Sequence, residues 1–154
     1  MFLCVFDFLP FLPRLIVVKE KLKPFEEKIS KGEGFAILSL PIKTVSEANN
    51  FDHWSKKHKR HKEQKLAIFW ICRTNIDHIK LPCTIKLTRL APRMIDVADN
   101  LPMSFKYILD AICEILTGQT VAGRADSHPG ISVSYDQIKT SNCGVMIEII
   151  SLCQ

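Results

Sequence analysis

The sequence lacks paired cysteines, because none of its six cysteines belongs to a CxxC motif. They are scattered along the chain, and four lie within or beside apolar runs: Cys72, Cys113, Cys143 and Cys153. A structural zinc site needs clustered ligands, so this spacing argues against one. Free cysteine packs as a small hydrophobic residue. We therefore expect reduced core thiols and a reducing, cytoplasmic compartment.

The sequence also lacks an uninterrupted apolar stretch of about 20 residues, which a membrane-spanning helix requires. Its most apolar segment, residues 1–18, is interrupted at Asp7, Pro10, Pro13 and Arg14, and no basic segment precedes it. That pattern differs from a secretory signal peptide. We expect the segment to pack on the domain or on a second subunit; a membrane-associated tail is the alternative.

Internal repeats and low-complexity tracts are absent as well. The 154 residues are 47% hydrophobic and 24% charged, which suits one globular domain with one hydrophobic core. The 21 basic and 16 acidic residues give a net charge of +5. This mild excess is compatible with a polyanionic partner but does not identify one.

The spacing of apolar residues predicts an N-terminal extension, residues 1–34, followed by one domain, residues 35–154. Residues 19–34 are charged and close with two glycines, so they are predicted to form a solvated helix or linker. In the domain we predict strands at residues 35–42, 81–90, 131–135 and 145–152, and helices at about residues 51–73 and 103–116. The last two strands are predicted to form a hairpin. The order β-α-β-α-β-β indicates an α+β fold, with a mixed sheet and the helices packed on one face.

The first predicted helix is densely basic in its middle. Its cations are Lys56, Lys57, Lys59, Arg60, Lys62 and Lys65, with histidines among them. Such a helix suits contact with a DNA backbone, since each neutralised phosphate releases counterions; the alternative is a solvated helix face. Ser46 or Asn50 is the predicted N-cap. Trp54 and Trp70 are predicted to be core residues, and the apolar end of the helix, residues 66–72, is predicted to be buried.

Two acidic loops are candidates for a metal site. One carries Asp96, Asp99 and Asn100 between a strand and a helix, and the other carries Asp126 before the next strand. Oxygen ligands of this kind suit Mg²⁺, and a bound metal ion can activate water for attack on a phosphodiester. The alternative is that these residues only cap helices.

Lys106 lies about two helical turns beyond Asp99, where it can neutralise a phosphate or pair with Asp110 at i,i+4. Together with the acidic loops it forms an ordered set of motifs that resembles the RusA family of Holliday-junction resolvases. The matching segments are Asp99-Asn100-Leu101, Lys106, Asp110-Ala111-Ile112, Asp126, and residues 128–139 and 144–149. The resemblance covers roughly residues 35–150 and depends on the order of the set rather than on one motif.

The resemblance implies a RusA-like endonuclease domain. Such a protein acts as a homodimer and cuts four-way DNA junctions in recombination and repair, with Mg²⁺ or Mn²⁺ and no small-molecule cofactor. Asp99 and Asp126 would ligate the metal, with Asp96 as a third ligand. Lys106 would contact the scissile phosphate, and Asn100 would orient the acidic loop. The residues predicted to bind DNA are Lys56, Lys57, Lys59, Arg60, Lys62 and Lys106.

Two features depart from the family's pattern. The family's first aspartate, two residues before the second, is Val97 here, and the nearest acid is Asp96; the gap from Asp99 to Lys106 is also longer. In a regular strand Asp96 and Asp99 would face opposite sides, whereas a bulge or turn would bring them together. Two alternatives to the nuclease therefore stay open. One is a catalytically inactive junction- or DNA-binding protein of the same fold, and the other is an assembly protein organised by its apolar N-terminus.

Overall fold

The computed structural model describes residues 28–46, 52–119 and 127–152. The elements are β1 (Lys28–Gly32), β2 (Phe35–Leu40), α1 (Trp54–Asn75), β3 (Cys83–Ala91), α2 (Asn100–Thr117), β4 (Ile131–Lys139) and β5 (Gly144–Ser151). They confirm the α+β class, and each predicted helix and strand of the domain is present. The apolar segment at residues 1–18 and the acidic residue Asp126 lie outside the described residues.

The five strands form one mixed sheet in the order β1-β2-β5-β3-β4. All neighbouring pairs are antiparallel except β3 and β4, which are parallel with Cys83 opposite Ile131. A parallel pair needs a long crossover connection, and α2 provides it between β3 and β4. The predicted mixed sheet is thus confirmed.

The predicted hairpin between the last two strands is wrong, because β3 lies between β4 and β5. The short link after β4 instead crosses the end of β3, where the Thr140 N–H donates to the Ala91 carbonyl at 3.0 Å. The composition of the two strands explains the arrangement. The inward side chains of β5, Val145, Ile147 and Ile149, are fully buried, and a central position between two strands buries them better than an edge does.

Residues 28–32 form an additional strand, so the prediction of a helix or linker is wrong for this stretch. β1 pairs with β2 through a tight turn in which Gly34 has a φ of +74°, a conformation that glycine adopts without strain. Lysines on an outer strand discourage unwanted pairing with other chains. The charges of Lys28 and Lys31 therefore suit a sheet edge as well as they suit a solvated helix.

The hydrophobic core lies between one face of the sheet and the two helices. The register places Leu38 opposite Ile147, and Ile147 opposite Leu87, and all three are fully buried. On the helix side the core includes Ile68 and Cys72 of α1, together with Leu101, Phe105, Ile108 and Ile112 of α2. Side chains alternate between the two faces of a strand, so the helices cover one face, as predicted.

The burial of α1 differs from the prediction. Ile68 and Cys72 are its buried residues, whereas Trp54 and Trp70 are 72% and 61% exposed, so the prediction that both tryptophans are core residues is wrong. Trp70 follows Ile68 by two residues, which is about 200° around a helix. Because α1 contacts the core mainly through Ile68 and Cys72, Trp70 lies on the side of the helix that faces away from the core. Leu66 is also exposed, so residues 66–72 are only partly buried.

Both helix ends have identifiable causes. The N-cap of α1 is His53, whose ring nitrogen accepts a hydrogen bond from the Ser55 N–H at 3.4 Å; the prediction of Ser46 or Asn50 is therefore wrong. α2 ends at Gly118 in the left-handed conformation, with φ +67°, which is a common way for a helix to stop at glycine. No helix in the described ranges is long and apolar enough to span a bilayer.

Candidate nucleic-acid interface

The acidic loop between β3 and α2 is a turn and not an extended strand. An oxygen of the Asp96 carboxylate accepts the Asp99 N–H at 3.0 Å, and the Asp96 carbonyl accepts the Leu101 N–H at 2.9 Å. The turn brings both aspartates to the start of α2, where both are exposed. The side-chain alternation of a strand therefore does not separate them. Asp96 also caps the helix start, while Asp99 makes no capping bond through its side chain.

Two side chains from other elements hold this loop. The Ile95 N–H donates to Gln137 Oε1 at 3.0 Å, and Gln137 Nε2 donates to the Ile95 carbonyl at 2.7 Å. From the segment after β2, Ser46 Oγ donates to Asn100 Oδ1 at 2.5 Å. The loop is thereby fixed to the edge strand β4 on one side and to the segment that follows β2 on the other. Pre-set geometry of this kind is what a ligand site requires.

A partly buried cation lies at the same end of the sheet. Arg89 donates through Nε to Thr44 Oγ1 at 3.1 Å and through a terminal nitrogen to the Arg93 carbonyl at 2.6 Å. Burial lowers the pKa of the Arg89 guanidinium, and the neighbouring Cys143 opposes that shift. Arg89 was not among the predicted site residues. The signal for it is a charged residue on the strand face otherwise formed by Cys83, Ile85 and Leu87.

Helices α1 and α2 run in the same direction. The His61 ring stacks on Tyr107 with centroids 3.4 Å apart. One turn further along α1 and two turns further along α2, the Lys65 ammonium contacts Glu114 at 2.6 Å. Between them lies a groove of about 530 Å³. Since contacts advance together along both helices, α1 and α2 begin at the same end of the sheet. That end carries the acidic loop.

The basic residues of α1 divide into paired and outward-facing cations. Arg60 contacts Asp52 at 3.0 Å, Lys65 contacts Glu114, and Lys59 lies 4.0 Å from Glu63. Lys56 and Lys62 are exposed in the first half of the helix. Ion pairing reduces the positive potential of this surface but does not cancel it, because exposed pairs are weak and exchangeable.

Lys106 lies on α2, exposed, seven residues after Asp99. Seven residues bring a helix back to nearly the same face, about 10 Å further along its axis. Lys106 and Asp99 therefore share one side of α2. A phosphate between them would be within reach of a lysine side chain.

The described residues next to the two acidic elements lie at opposite ends of β3. Asp96 and Asp99 follow its last residue, whereas Ser127, the described residue next to Asp126 in the chain, precedes β4. β4 starts opposite the first residue of β3, where the Cys83 N–H donates to the Gly130 carbonyl at 2.9 Å. Nine strand residues span about 26 Å. Within the described ranges, no three His, Cys, Asp or Glu side chains are grouped so as to hold a metal ion.

Comparison with family models and with curated proteins found no match to this chain.

Proposed function

We propose that the chain is a Mg²⁺- or Mn²⁺-dependent DNA endonuclease that acts as a homodimer on four-way junctions, in the manner of the RusA-like proteins it resembles. The observation that carries the proposal is the position of the acidic loop. It lies at the end of the sheet where the basic half of α1 and the start of α2 also lie. One end of the molecule thus offers carboxylates for a cation and cations for phosphates.

Each group at this end has a chemical task. The outward lysines of α1 contact backbone phosphates, and the first turns of two parallel helices add positive potential there. Asp99 and Asp96 carry hard oxygen donors of the type that Mg²⁺ prefers, and Asn100, whose Oδ1 accepts from Ser46 Oγ, orients the loop. A bound cation would polarise the phosphodiester and activate water. Lys106 neutralises charge on the phosphate held over the same face of α2.

We also propose that a complete metal site takes its acidic elements from two copies of the chain. The flanks of the two elements lie about 26 Å apart along β3, which is several times the span of a metal coordination sphere. A homodimer in which the start of α2 in one copy meets residues 120–130 of the other brings them together. This arrangement gives the dimer two equivalent sites, as twofold symmetry requires.

The test is cleavage of a synthetic four-way junction in Mg²⁺, comparing Asp99→Asn with Asp77→Asn. Asp77 is a matched control, because its side chain is 71% exposed and lies near the opposite end of the sheet. We expect Asp99→Asn to abolish cutting while retaining binding, and Asp77→Asn to cut normally. Equal cutting by Asp99→Asn and the wild type would overturn the nuclease proposal.

A second candidate is a junction- or DNA-binding protein of this fold that does not cleave. It is favoured by the Asp96 carboxylate, which is already engaged by the Asp99 N–H. It predicts salt-sensitive junction binding with no product in either metal. Turnover by the wild type that Asp99→Asn abolishes would eliminate this candidate.

A further inference from the structure

The second half of α1 presents an aromatic side chain to the outside. Trp70 is 61% exposed and Leu66, one turn earlier, is 44% exposed. Phe69 meets Trp70 edge-on, with centroids 5.8 Å apart and ring planes 80° apart. The Arg73 guanidinium lies 5.6 Å from the centre of the Phe69 ring. Neighbours on its own helix therefore support the exposed indole, and no other residue of the described ranges covers its outer surface.

The charges around Trp70 favour an anionic partner. Arg73 follows it by three residues, and the Lys31 ammonium donates to the Thr74 carbonyl at 3.1 Å, so two cations lie within about one turn. The acid on the same stripe, Glu63, lies 4.0 Å from Lys59. A purely apolar partner would leave the two cations without a counterion, and a positively charged partner would be repelled by them. A partner that is both negatively charged and aromatic fits this surface better.

A nucleic-acid strand with unpaired bases has both properties. Proteins that bind single strands combine a cationic track for the backbone with aromatic rings on which bases stack. Trp70 is 14 residues beyond Lys56, about 21 Å along the helix axis, so a strand that follows α1 from its basic half reaches the indole. In an intact duplex the bases are stacked on one another, so their faces are not available to stack on the indole.

We propose that Trp70, with Arg73 beside it, stacks on an unpaired nucleotide of the DNA that α1 binds. The inference depends on the proposed DNA-binding function and adds a substrate feature to it. The preferred substrate has a strand opened near the point where α1 contacts it, as at a branch or a flap.

The chain's two tryptophans make the test direct. Trp54→Phe leaves Trp70 as the single indole, and Trp70→Phe leaves Trp54, which is 72% exposed, as the matched reporter. Each variant is titrated with oligo(dT) and with a duplex of equal length. We expect oligo(dT) to quench Trp70 strongly and the duplex to quench it little, and Trp54 to respond less than Trp70 to oligo(dT).

Affinity provides the second measurement, by anisotropy of labelled DNA. We expect Trp70→Leu to weaken oligo(dT) binding by roughly tenfold and to leave duplex binding within about twofold. Leu152→Ala, at a position 59% exposed and outside α1, should change neither. Circular dichroism checks that each variant is folded.

Three results would overturn the inference. Unchanged Trp70 emission while anisotropy reports oligo(dT) binding would refute the stacking and leave the DNA-binding proposal standing. Failure of the wild type to bind any of these DNAs at low salt would refute both. A Trp70 emission shift that follows protein concentration without DNA would show that a second copy of the chain occupies this surface instead.

Discussion

At the scale of single residues, Gln137 holds the acidic loop through one side chain. Its amide makes two hydrogen bonds to the Ile95 backbone, directly before Asp96. A side chain on β4 thus fixes a loop that follows β3. These hydrogen bonds, together with the partly buried Ile95 side chain that packs against the core, explain how an exposed turn keeps its shape.

We predict that Gln137→Ala lowers the free energy of unfolding by about 1–3 kcal/mol, because it leaves a partly buried backbone N–H and carbonyl without their partner. Urea denaturation measures the change. Gln119→Ala, at an exposed position after α2, is the control and should change stability by less than about 0.5 kcal/mol. A similar loss in both variants would contradict the assigned role of Gln137.

Cys72 links burial to pH. It is fully buried between α1 and the sheet, and burial raises the pKa of its thiol from 9.0 to about 12. The folded state therefore keeps the proton after an unfolded chain has lost it. Stability is fully present below pH 9 and is lost as the pH rises toward about 12.

We predict that the free energy of unfolding falls above pH 9 by up to about 1.4 kcal/mol per pH unit from this thiol alone. Cys72→Ala should remove that contribution and flatten the profile between pH 9 and 11. The measurement is urea denaturation at a series of pH values. Parallel profiles for the wild type and Cys72→Ala would show that another group is responsible.

At the scale of elements, some features follow from the local sequence, whereas others depend on how the strands compete for places in the sheet. The alternation in β3, the apolar spacing of α2 and the stop at Gly118 are local properties, so the sequence predicts those elements correctly. The pairing of β5 with β3 is not local, because a short link between strands favours a hairpin until the burial of Ile147 and its neighbours is weighed across the whole sheet.

The same distinction applies to α1 and to β1. The sequence places α1 correctly, but its basic and aromatic residues surround the helix, and only the tertiary packing decides which side meets the core. Trp70 is exposed for that reason. β1 has the composition of a solvated segment, and its strand conformation depends on β2 having an open edge beside it. The acidic turn was predicted as a candidate site, whereas Arg89 and Gln137, which come together from distant segments, were not.

We predict that the first half of α1 determines the salt dependence of DNA binding. Replacing Lys56, Lys59 and Lys62 with glutamine should lower the slope of log K against log salt by roughly 2 to 3, since each lost phosphate contact contributes about 0.9. Lys28→Gln with Lys80→Gln, exposed lysines outside this half-helix, should change the slope by less than 1. An unchanged slope in the α1 variant would assign the contacts to another surface.

At the scale of the whole molecule, the parallel pairing of β3 with β4 has the widest consequence for function. It sends α2 from one end of the sheet to the other, so the residues before and after the helix are kept apart by the length of the strand. A second copy of the chain overcomes that separation if the dimer is antiparallel along this axis. Dimerisation would then be required for catalysis rather than only for binding two arms of a junction.

Mixing two inactive variants tests this requirement. In a dimer of one Asp99→Asn chain and one Asp126→Asn chain, a shared site leaves one of the two sites with both aspartates, while the other site loses both. If chains exchange at random, half of the dimers are mixed, and each mixed dimer has one intact site out of two. We therefore predict recovery of roughly a quarter of the wild-type sites. The measurement is nicking of a four-way junction in Mg²⁺. Sites built within one chain would give no recovery, since every site in the mixture would then lack one aspartate. Mixing Asp99→Asn with a second preparation of itself controls for contamination, and nicking there at the level of the mixture would invalidate the recovery.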